Sequence, residues 1–183
     1  MDSATLRGVI RAEGQPLPAD MVVYLEPTDP TLRLPPTEKR ARVSQKAAQF
    51  SPAVTVVSVG QEVEFLNDED RPVEHNVFSN AANARFDLGL YPQGQSRTVA
   101  FDKPGAVVLY CSVHKFMDGV VYVCPCPFFS KVDAEGHFQI EGVRPGAYTL
   151  KTWQRRRRFP DQSMPLKVEA GQTLDLKLEM HRK

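Results

Sequence analysis

The chain has 183 residues, of which 42% are hydrophobic, and a formal net charge of +1. This length supports one large or two small domains with cores of their own, and the near-neutral charge argues against a nucleic-acid-binding or membrane-surface protein. No apolar run is long enough for a transmembrane helix, and the first residues lack the charged start and apolar core of a signal peptide. Fifteen prolines and eleven glycines separate short β-branched runs, which predicts an all-β fold.

The first predicted elements are strands within Leu6–Ile10 and Gly14–Leu25. Two strands are marginal by themselves, so we expect this pair to complete its sheet elsewhere in the chain. The connector that follows, Pro27–Arg42, is rich in proline and charge, and we predict that residues 31–42 form an irregular linker.

The central predicted strands surround a set of side chains that can bind a metal. Strand patterns occur at Val54–Asn67, Pro104–Ser112 and Gly119–Val123. The dipeptide His75-Asn76 lies between the first two, and the segment Cys111-Ser112-Val113-His114-Lys115-Phe116-Met117 follows the second strand pattern. A trigonal pair of histidines and a cysteine with a weak axial methionine is the ligand set of a blue-copper electron-transfer site. Zinc also accepts histidine and cysteine and stays an alternative.

These central segments resemble the cupredoxins, the family of plastocyanin, pseudoazurin and amicyanin, over residues 43–124. Val54–Asn67 is similar to the paired strands that precede the first histidine ligand in that family, and the two-residue gap between His114 and Met117 is most similar to amicyanin. The resemblance implies a Greek-key cupredoxin β-sandwich that binds one copper ion, as Cu(I) or Cu(II), through His75, Cys111, His114 and Met117. It also implies that Asn76 ties the two ligand segments together by hydrogen bonding near Ser112.

The two remaining cysteines form Cys124-Pro125-Cys126 at the end of a predicted strand. A disulfide across one residue would be strained. The pair could bind a second soft metal, or be two plain thiols, and we favour the thiols because no further ligand lies nearby in the sequence. His137 and His181 likewise have no ligand-like neighbours and are interpreted as surface residues.

The C-terminal third contains the strand patterns and turns that the N-terminal pair lacks. They are Val132–Ile140, Val143–Leu150 and Leu166–Leu178, with Gly136 and Pro145-Gly146 at turns. Together with the N-terminal strands they resemble a carboxypeptidase regulatory-like, transthyretin-type β-sandwich. We therefore predict a discontinuous, smaller domain of residues 1–30 plus 127–183, with the cupredoxin domain of residues 43–124 inserted into it.

Four consecutive arginines, Arg155–Arg158, follow Trp153 at the end of a predicted strand. Charge runs are usually solvated loops, which is the interpretation we favour. The alternative is a docking patch for an acidic redox partner, since opposite charge raises the rate of association.

Two functions compete for this ligand set. The first is a blue copper protein that carries single electrons between transient redox partners and is not an enzyme; Val113, Phe116, Leu88, Leu90 and Tyr91 would form the apolar patch through which the His114 edge exchanges electrons. The second is a copper-handling protein, such as a chaperone, buffer or resistance component. The chain is also similar to methylamine-utilisation and plastocyanin-like bacterial proteins, which implies a periplasmic location with the signal peptide removed. A multicopper oxidase or nitrite reductase needs a further histidine-rich centre, and this chain has four histidines in all.

Overall fold

The computed structural model describes residues 2–32 and 34–181. These residues form sixteen β-strands and no helix, so no helix is available to cross a membrane. The chain divides into two compact units: Met1–Leu34 with Phe128–Lys183, and Pro35–Pro127. The all-β prediction is confirmed.

The first unit combines both ends of the chain in two sheets. Its three-stranded sheet has the order β13-β1-β16, and its four-stranded sheet has the order β12-β2-β14-β15. An N-terminal strand therefore lies inside each sheet, between strands from the C-terminal third. The strands are β1 (Ala4–Ala12), β2 (Val22–Pro27), β12 (Phe129–Lys131), β13 (His137–Val143), β14 (Gly146–Trp153), β15 (Ser163–Val168) and β16 (Thr173–Met180).

The second unit is the central part of the chain, also folded into two sheets. One has the order β5-β11-β10-β7-β8 and the other the order β4-β3-β6-β9. The strands are β3 (Ala41–Lys46), β4 (Gln49–Ser51), β5 (Val54–Ser58), β6 (Glu62–Asn67), β7 (Phe78–Ala81), β8 (Ala84–Asp87), β9 (Ser96–Ala100), β10 (Gly105–Tyr110) and β11 (Asp118–Cys124).

The core of the second unit is built from apolar side chains of both sheets. Val43 and Phe65 come from the four-stranded sheet, and Leu109 and Val121 from the five-stranded one, and all four are buried in one cluster. Alternation along each strand sends every second side chain into this core. Cys111 belongs to the same cluster, so the ligand segment that follows β10 begins inside the core and not on the surface.

Two predicted features of the second unit need correction. Residues 54–67 do not form a pair of adjacent strands: β5 pairs in parallel with β11, whereas β6 pairs with β3 and β9 in the other sheet. The turn between them carries the chain across the core, and Gly60, with a φ of 83°, makes that turn possible. The predicted linker, residues 31–42, is also too long, because β3 already begins at Ala41.

Candidate metal centre

Three predicted ligands converge in the second unit. One donor atom from each of His75, Cys111 and His114 lies within 4.8 Å of the other two. The Cys111 Sγ atom is 3.8 Å from the His75 Nδ1 atom, and the rings of His75 and His114 have their centroids 4.9 Å apart. Donors that share one metal ion at about 2.0 to 2.3 Å lie about 3 to 4 Å from each other. The three side chains are therefore spaced for a common ion.

The ligand segment Cys111–Met117 is the connection between two antiparallel strands. Tyr110 of β10 faces Asp118 of β11, so the segment leaves and re-enters the sheet at adjacent positions. The backbone N–H of Met117 donates to the carbonyl oxygen of His114 at 2.9 Å, which closes a tight turn. Cys111 and Met117 are both buried at the two ends of the segment. This geometry brings the Met117 backbone close to that of His114, and the Met117 side chain is buried.

His75 is fixed in place by its backbone as well as by its side chain. It forms an isolated β-bridge with Tyr91, in which each N–H donates to the other residue's carbonyl oxygen. The Asn67 side chain, fully buried at the end of β6, donates to the carbonyl oxygens of Val73 and Tyr91 at 2.8 and 3.0 Å. Asn67 thereby binds both backbone segments that form the bridge.

A carboxylate orients the His75 ring. The His75 Nε2 atom lies 2.9 Å from the Glu69 Oε1 atom, and His75 is wholly buried. The hydrogen bond from His75, supported by N–H groups of Ala48 and Ala47, holds the pKa of Glu69 below its ordinary value. An ionised carboxylate only accepts hydrogen bonds, so Nε2 carries the proton. The lone pair of Nδ1 then faces the Cys111 sulfur, as a metal ligand requires.

The turn that supports Glu69 has an unusual backbone. Ala47 and Ala48 join β3 to β4 with φ values of 51° and 54°. Positive φ is disfavoured for residues with a Cβ atom, by about 1 to 2 kcal/mol each. In this conformation the Ala48 N–H donates to the Glu69 Oε1 atom at 3.3 Å. The turn therefore contributes a donor to the same oxygen that binds His75.

Asn76 connects the two ligand segments. Its side-chain oxygen accepts hydrogen bonds from the Ser112 N–H at 2.7 Å and from the Ser112 hydroxyl at 2.9 Å. Its amide nitrogen donates to the Asp87 Oδ1 atom at 3.1 Å. Since Asn76 follows His75 and Ser112 follows Cys111, these bonds fix the distance between two ligands.

One ring nitrogen of His114 has no protein partner among the described residues. The Nδ1 atom of His114 is buried and makes no hydrogen bond among the described residues. An unpartnered buried nitrogen is costly unless something else binds it. It belongs to the one cluster of three or more metal-binding side chains that the described residues contain. Two imidazoles and a thiol form a soft set of donors that fits copper.

The central segment also matches a known family. Residues 37–124 match the model of the copper-binding proteins of the plastocyanin/azurin family. This part of the chain is a cupredoxin domain. The match and the His75–Cys111–His114 site together make the protein a copper protein of the electron-transfer class, with copper as its cofactor.

Solved structures are similar to only about half of this chain. A purple cupredoxin from Nitrosopumilus maritimus is 26% identical over 45% of this chain and 98% of its own, with a TM-score of 0.41. A copper-containing nitrite reductase from Thermus scotoductus SA-01 is 23% identical over 54% of this chain and 25% of its own, with a TM-score of 0.45. An oxidized amicyanin mutant is 22% identical over 45% of this chain and 80% of its own, with a TM-score of 0.41. None of the curated proteins matches the chain.

The surface beside His114 in the cupredoxin domain is apolar. Phe116 is 75% exposed, and its ring centroid lies 6.0 Å from that of His114. Val113 and Leu90 are also largely exposed. The predicted patch was too large, however, because Tyr91 is fully buried and Leu88 packs against the core. We use the name His114 patch for Val113 and Phe116, the two exposed apolar residues of the ligand segment; Leu90 is exposed as predicted.

The other candidate ligands do not join the cluster. Cys124 and Cys126 are buried and form no disulfide, and burial raises the pKa of Cys124 well above its ordinary value. His137 is exposed and lies 3.6 Å from Asp133. His181 is also exposed and lies 3.7 Å from a carboxylate oxygen of Glu13.

Sequence reasoning missed the residues that hold the first ligand in position. Glu69 lies in the acidic segment Asp68-Glu69-Asp70, which has the composition of a solvated loop. Nothing in its sequence separates Glu69, whose side chain is 11% exposed, from its exposed neighbour Asp70. Asn67 at the end of a strand pattern offered a weak signal, because a buried amide at that position needs partners.

Proposed function

We propose that the protein is a type 1 (blue) copper protein that carries single electrons between periplasmic redox partners. The observation that carries this proposal is the convergence of the buried Cys111 thiol and the buried His75 imidazole with the half-buried imidazole of His114. Met117, which is buried, is proposed as the weak axial ligand. The periplasmic location depends on the resemblance to plastocyanin-like bacterial proteins.

Each residue of the site has a separate role in electron transfer. When bound, copper supplies a one-electron couple between Cu(II) and Cu(I). His75 and Cys111 would hold it from the buried side, and Glu69 keeps the His75 ring in one orientation and tautomer. Asn76 and Ser112 resist separation of the two ligand segments. A site held this firmly changes little in geometry between oxidation states, which favours fast electron transfer.

The His114 patch provides the proposed route for electrons to leave and enter. His114 lies at the edge of the site, and the exposed Phe116 ring lies next to it. A small apolar surface suits redox partners that bind briefly over a small area. The partners would therefore be transient protein complexes that bring their own redox centre close to the His114 ring.

We propose a carrier and not an enzyme. Outside the copper site, the described residues hold no second cluster of three or more metal-binding side chains where a substrate could be bound and reduced. A copper-handling protein with a second soft-metal site would use Cys124 and Cys126. Neither thiol joins the one cluster of three or more metal-binding side chains that the described residues contain, so that alternative gains no second site from them.

Absorption and EPR spectra after addition of Cu(II) to the metal-free protein test this function. We expect an intense visible charge-transfer band and a small parallel hyperfine splitting, both from the Cys111 thiolate. Cys111→Ser should remove the band, while Cys126→Ser, the matched control at a buried thiol, should keep it. A colourless Cu(II) complex, or a site that prefers Zn(II), would contradict the proposal.

The axial position is tested separately through the reduction potential. Met117→Leu removes a thioether donor and makes the site more apolar, so the potential should rise, whereas Met117→Gln should lower it. If neither substitution moves the potential, Met117 is not the axial ligand.

A further inference from the structure

The four consecutive arginines of the first unit lie in a loop that is closed at its base. Residues 154–162 connect β14 to β15, which pair as an antiparallel hairpin. At the base, the Thr152 N–H donates to the Gln162 carbonyl oxygen at 3.2 Å, and the Gln162 N–H donates to the buried Thr152 hydroxyl at 2.8 Å. The loop therefore starts and ends at a fixed point on the sheet.

A buried glutamine holds the inside of this loop. Gln154 is 1% exposed, and its side-chain oxygen accepts from the N–H groups of Arg158 and Phe159 at 3.0 and 3.3 Å. Its amide nitrogen donates to the Phe159 carbonyl oxygen at 2.9 Å. The Phe159 ring is buried beneath the loop. These contacts are more than a plain solvated charge run requires, because they fix the backbone that carries the arginines.

Three of the four arginines are exposed and carry charge that no described residue neutralises. Within the described residues, Arg156, Arg157 and Arg158 form no ion pair, although all three are exposed. The lysines on the two strands of the hairpin differ: Lys151 pairs with Glu26, and Lys167 lies 3.6 Å from Glu169. Positive charge is thus neutralised along the hairpin and left free at the loop.

We propose that this loop, residues 154–162, is a docking surface for a protein partner with a carboxylate-rich face. Guanidinium groups bind carboxylates through two parallel hydrogen bonds, which adds orientation to simple charge attraction. The Gln154 anchor reduces the loss of backbone freedom on binding, because the loop is already ordered. This surface belongs to the first unit and does not depend on copper.

Charge distribution favours an acidic protein over a nucleic acid as the occupant. Nucleic-acid binding uses a basic stripe that follows many phosphates, and such domains are strongly basic. This chain has a net charge of +1, and Arg156, Arg157 and Arg158 form a compact group of three exposed arginines without an ion pair among the described residues. A patch of this size matches a compact cluster of carboxylates on a folded partner.

The test measures binding of a fluorescent octaglutamate peptide to the full-length, copper-loaded protein at low ionic strength. The variant R156Q/R157Q/R158Q should bind the peptide about tenfold more weakly, since three exposed ion pairs, each weak by itself, are lost together. The matched control is R11Q/R85Q/R144Q, which changes the net charge equally at exposed arginines elsewhere in the chain. Its affinity should fall less than twofold.

Each other outcome decides against the proposal. Equal losses in both triple variants would mean that net charge alone attracts the peptide. Tighter binding of single-stranded DNA or of phosphatidylglycerol vesicles than of the peptide, abolished in R156Q/R157Q/R158Q, would assign the loop to those polyanions instead. The absorption band of copper should be the same in all variants, so the result is independent of the copper site.

A fourth variant tests the anchor. Gln154→Met keeps the size of the side chain and all four arginines but removes the three hydrogen bonds. We expect faster hydrogen exchange at the Arg158 and Phe159 amides and about a threefold loss of peptide affinity. Faster exchange with unchanged affinity would show that the fixed loop has no part in binding.

Discussion

The two histidines of the copper site differ in how the protein holds them. His75 is fully buried, with its backbone in a β-bridge and its Nε2 atom bound to Glu69. His114 lies in a loop, its Nδ1 atom has no protein partner among the described residues, and the exposed Phe116 is its ring neighbour. One ligand is thus part of the scaffold and the other faces the surface. The same residue type thus has two roles: His75 holds the metal from the buried side, and His114 connects it to the surface.

Removing each ring in turn gives the sharpest test of this difference. His75→Gly and His114→Gly should both lose the blue band, because each removes a nitrogen ligand. Added imidazole should restore the band in His114→Gly at millimolar concentration, since the vacated position opens toward the exposed His114 patch. It should fail in His75→Gly, where the position is enclosed by protein. Recovery of both variants, or of His75→Gly alone, would contradict the assigned asymmetry; absorption titrations with imidazole measure it.

The carboxylate behind His75 should have the next largest effect. Glu69→Gln keeps the shape but replaces an acceptor-only group with one that can present an N–H to Nε2. Loss of such a partner behind a ligand typically weakens metal binding about 10- to 100-fold. Competition with a chelator measures the affinity for Cu(II). The matched control is Asp70→Asn one position away, whose exposed side chain pairs with Lys46 and should leave the affinity unchanged.

This asymmetry separates what the sequence could predict from what it could not. The cluster of His75, Cys111 and His114 was predictable because copper needs particular donor types, and two of these side chains lie within the seven-residue segment Cys111–Met117. The residues that orient His75 were not predictable, because Glu69 and the Ala47–Ala48 turn meet only after β3, β4 and β6 have packed together.

The fold shows the same limit. Alternating apolar residues and turn residues predicted an all-β chain, and periodicity within a strand identifies which face is buried. It does not identify the strand's neighbours. For that reason β5 and β6 were predicted as a pair, although they belong to opposite sheets. The pairing of β1 with β16, in parallel and across almost the whole chain, likewise depends on contacts far apart in sequence.

The hydrogen bonds from Ser112 to Asn76, which connect the two ligand segments, should have a smaller effect than the ligand substitutions and Glu69→Gln. Asn76→Ala removes the acceptor of the Ser112 N–H and hydroxyl and one of the two donors to the Asp87 Oδ1 atom, the other being the Gly89 N–H. We expect the free energy of unfolding of the metal-free protein to fall by about 1 to 3 kcal/mol, because three hydrogen bonds of about 0.5 to 1.5 kcal/mol each are lost and exposed groups regain water. Urea unfolding measures it.

Asn76→Asp serves as the control for that substitution. The carboxylate can still accept from Ser112, but it cannot donate to Asp87 and places a second negative charge beside it. A loss in Asn76→Asp as large as that in Asn76→Ala would mean that the Asp87 bond, and not the bond between the ligand segments, is the important one.

The smallest expected effect concerns Glu64 of β6, the strand that ends at Asn67. Glu64 of β6 lies between Arg42 of β3, at 2.9 Å, and the Ser96 hydroxyl of β9, also at 2.9 Å, with 19% of its side chain exposed. The Ser96 hydrogen bond first, and then Arg42, hold the pKa of Glu64 below its ordinary value of 4.5. A carboxylate with a lowered pKa in the folded state stabilises the protein above its unfolded pKa and loses that contribution as pH falls through the folded one.

Glu64→Gln should therefore lower the free energy of unfolding by about 0.5 to 1 kcal/mol at pH 7. The difference from the unmodified protein should shrink below pH 4.5 and vanish once Glu64 is protonated in both states. Glu62→Gln is the control on the same strand, because its side chain is 48% exposed and its pair with Arg40 is open to solvent. Urea unfolding of the three proteins across this pH range measures the effect. A Glu64→Gln deficit that persists unchanged at pH 2.5 would show that the ionised carboxylate is not what stabilises the folded protein here.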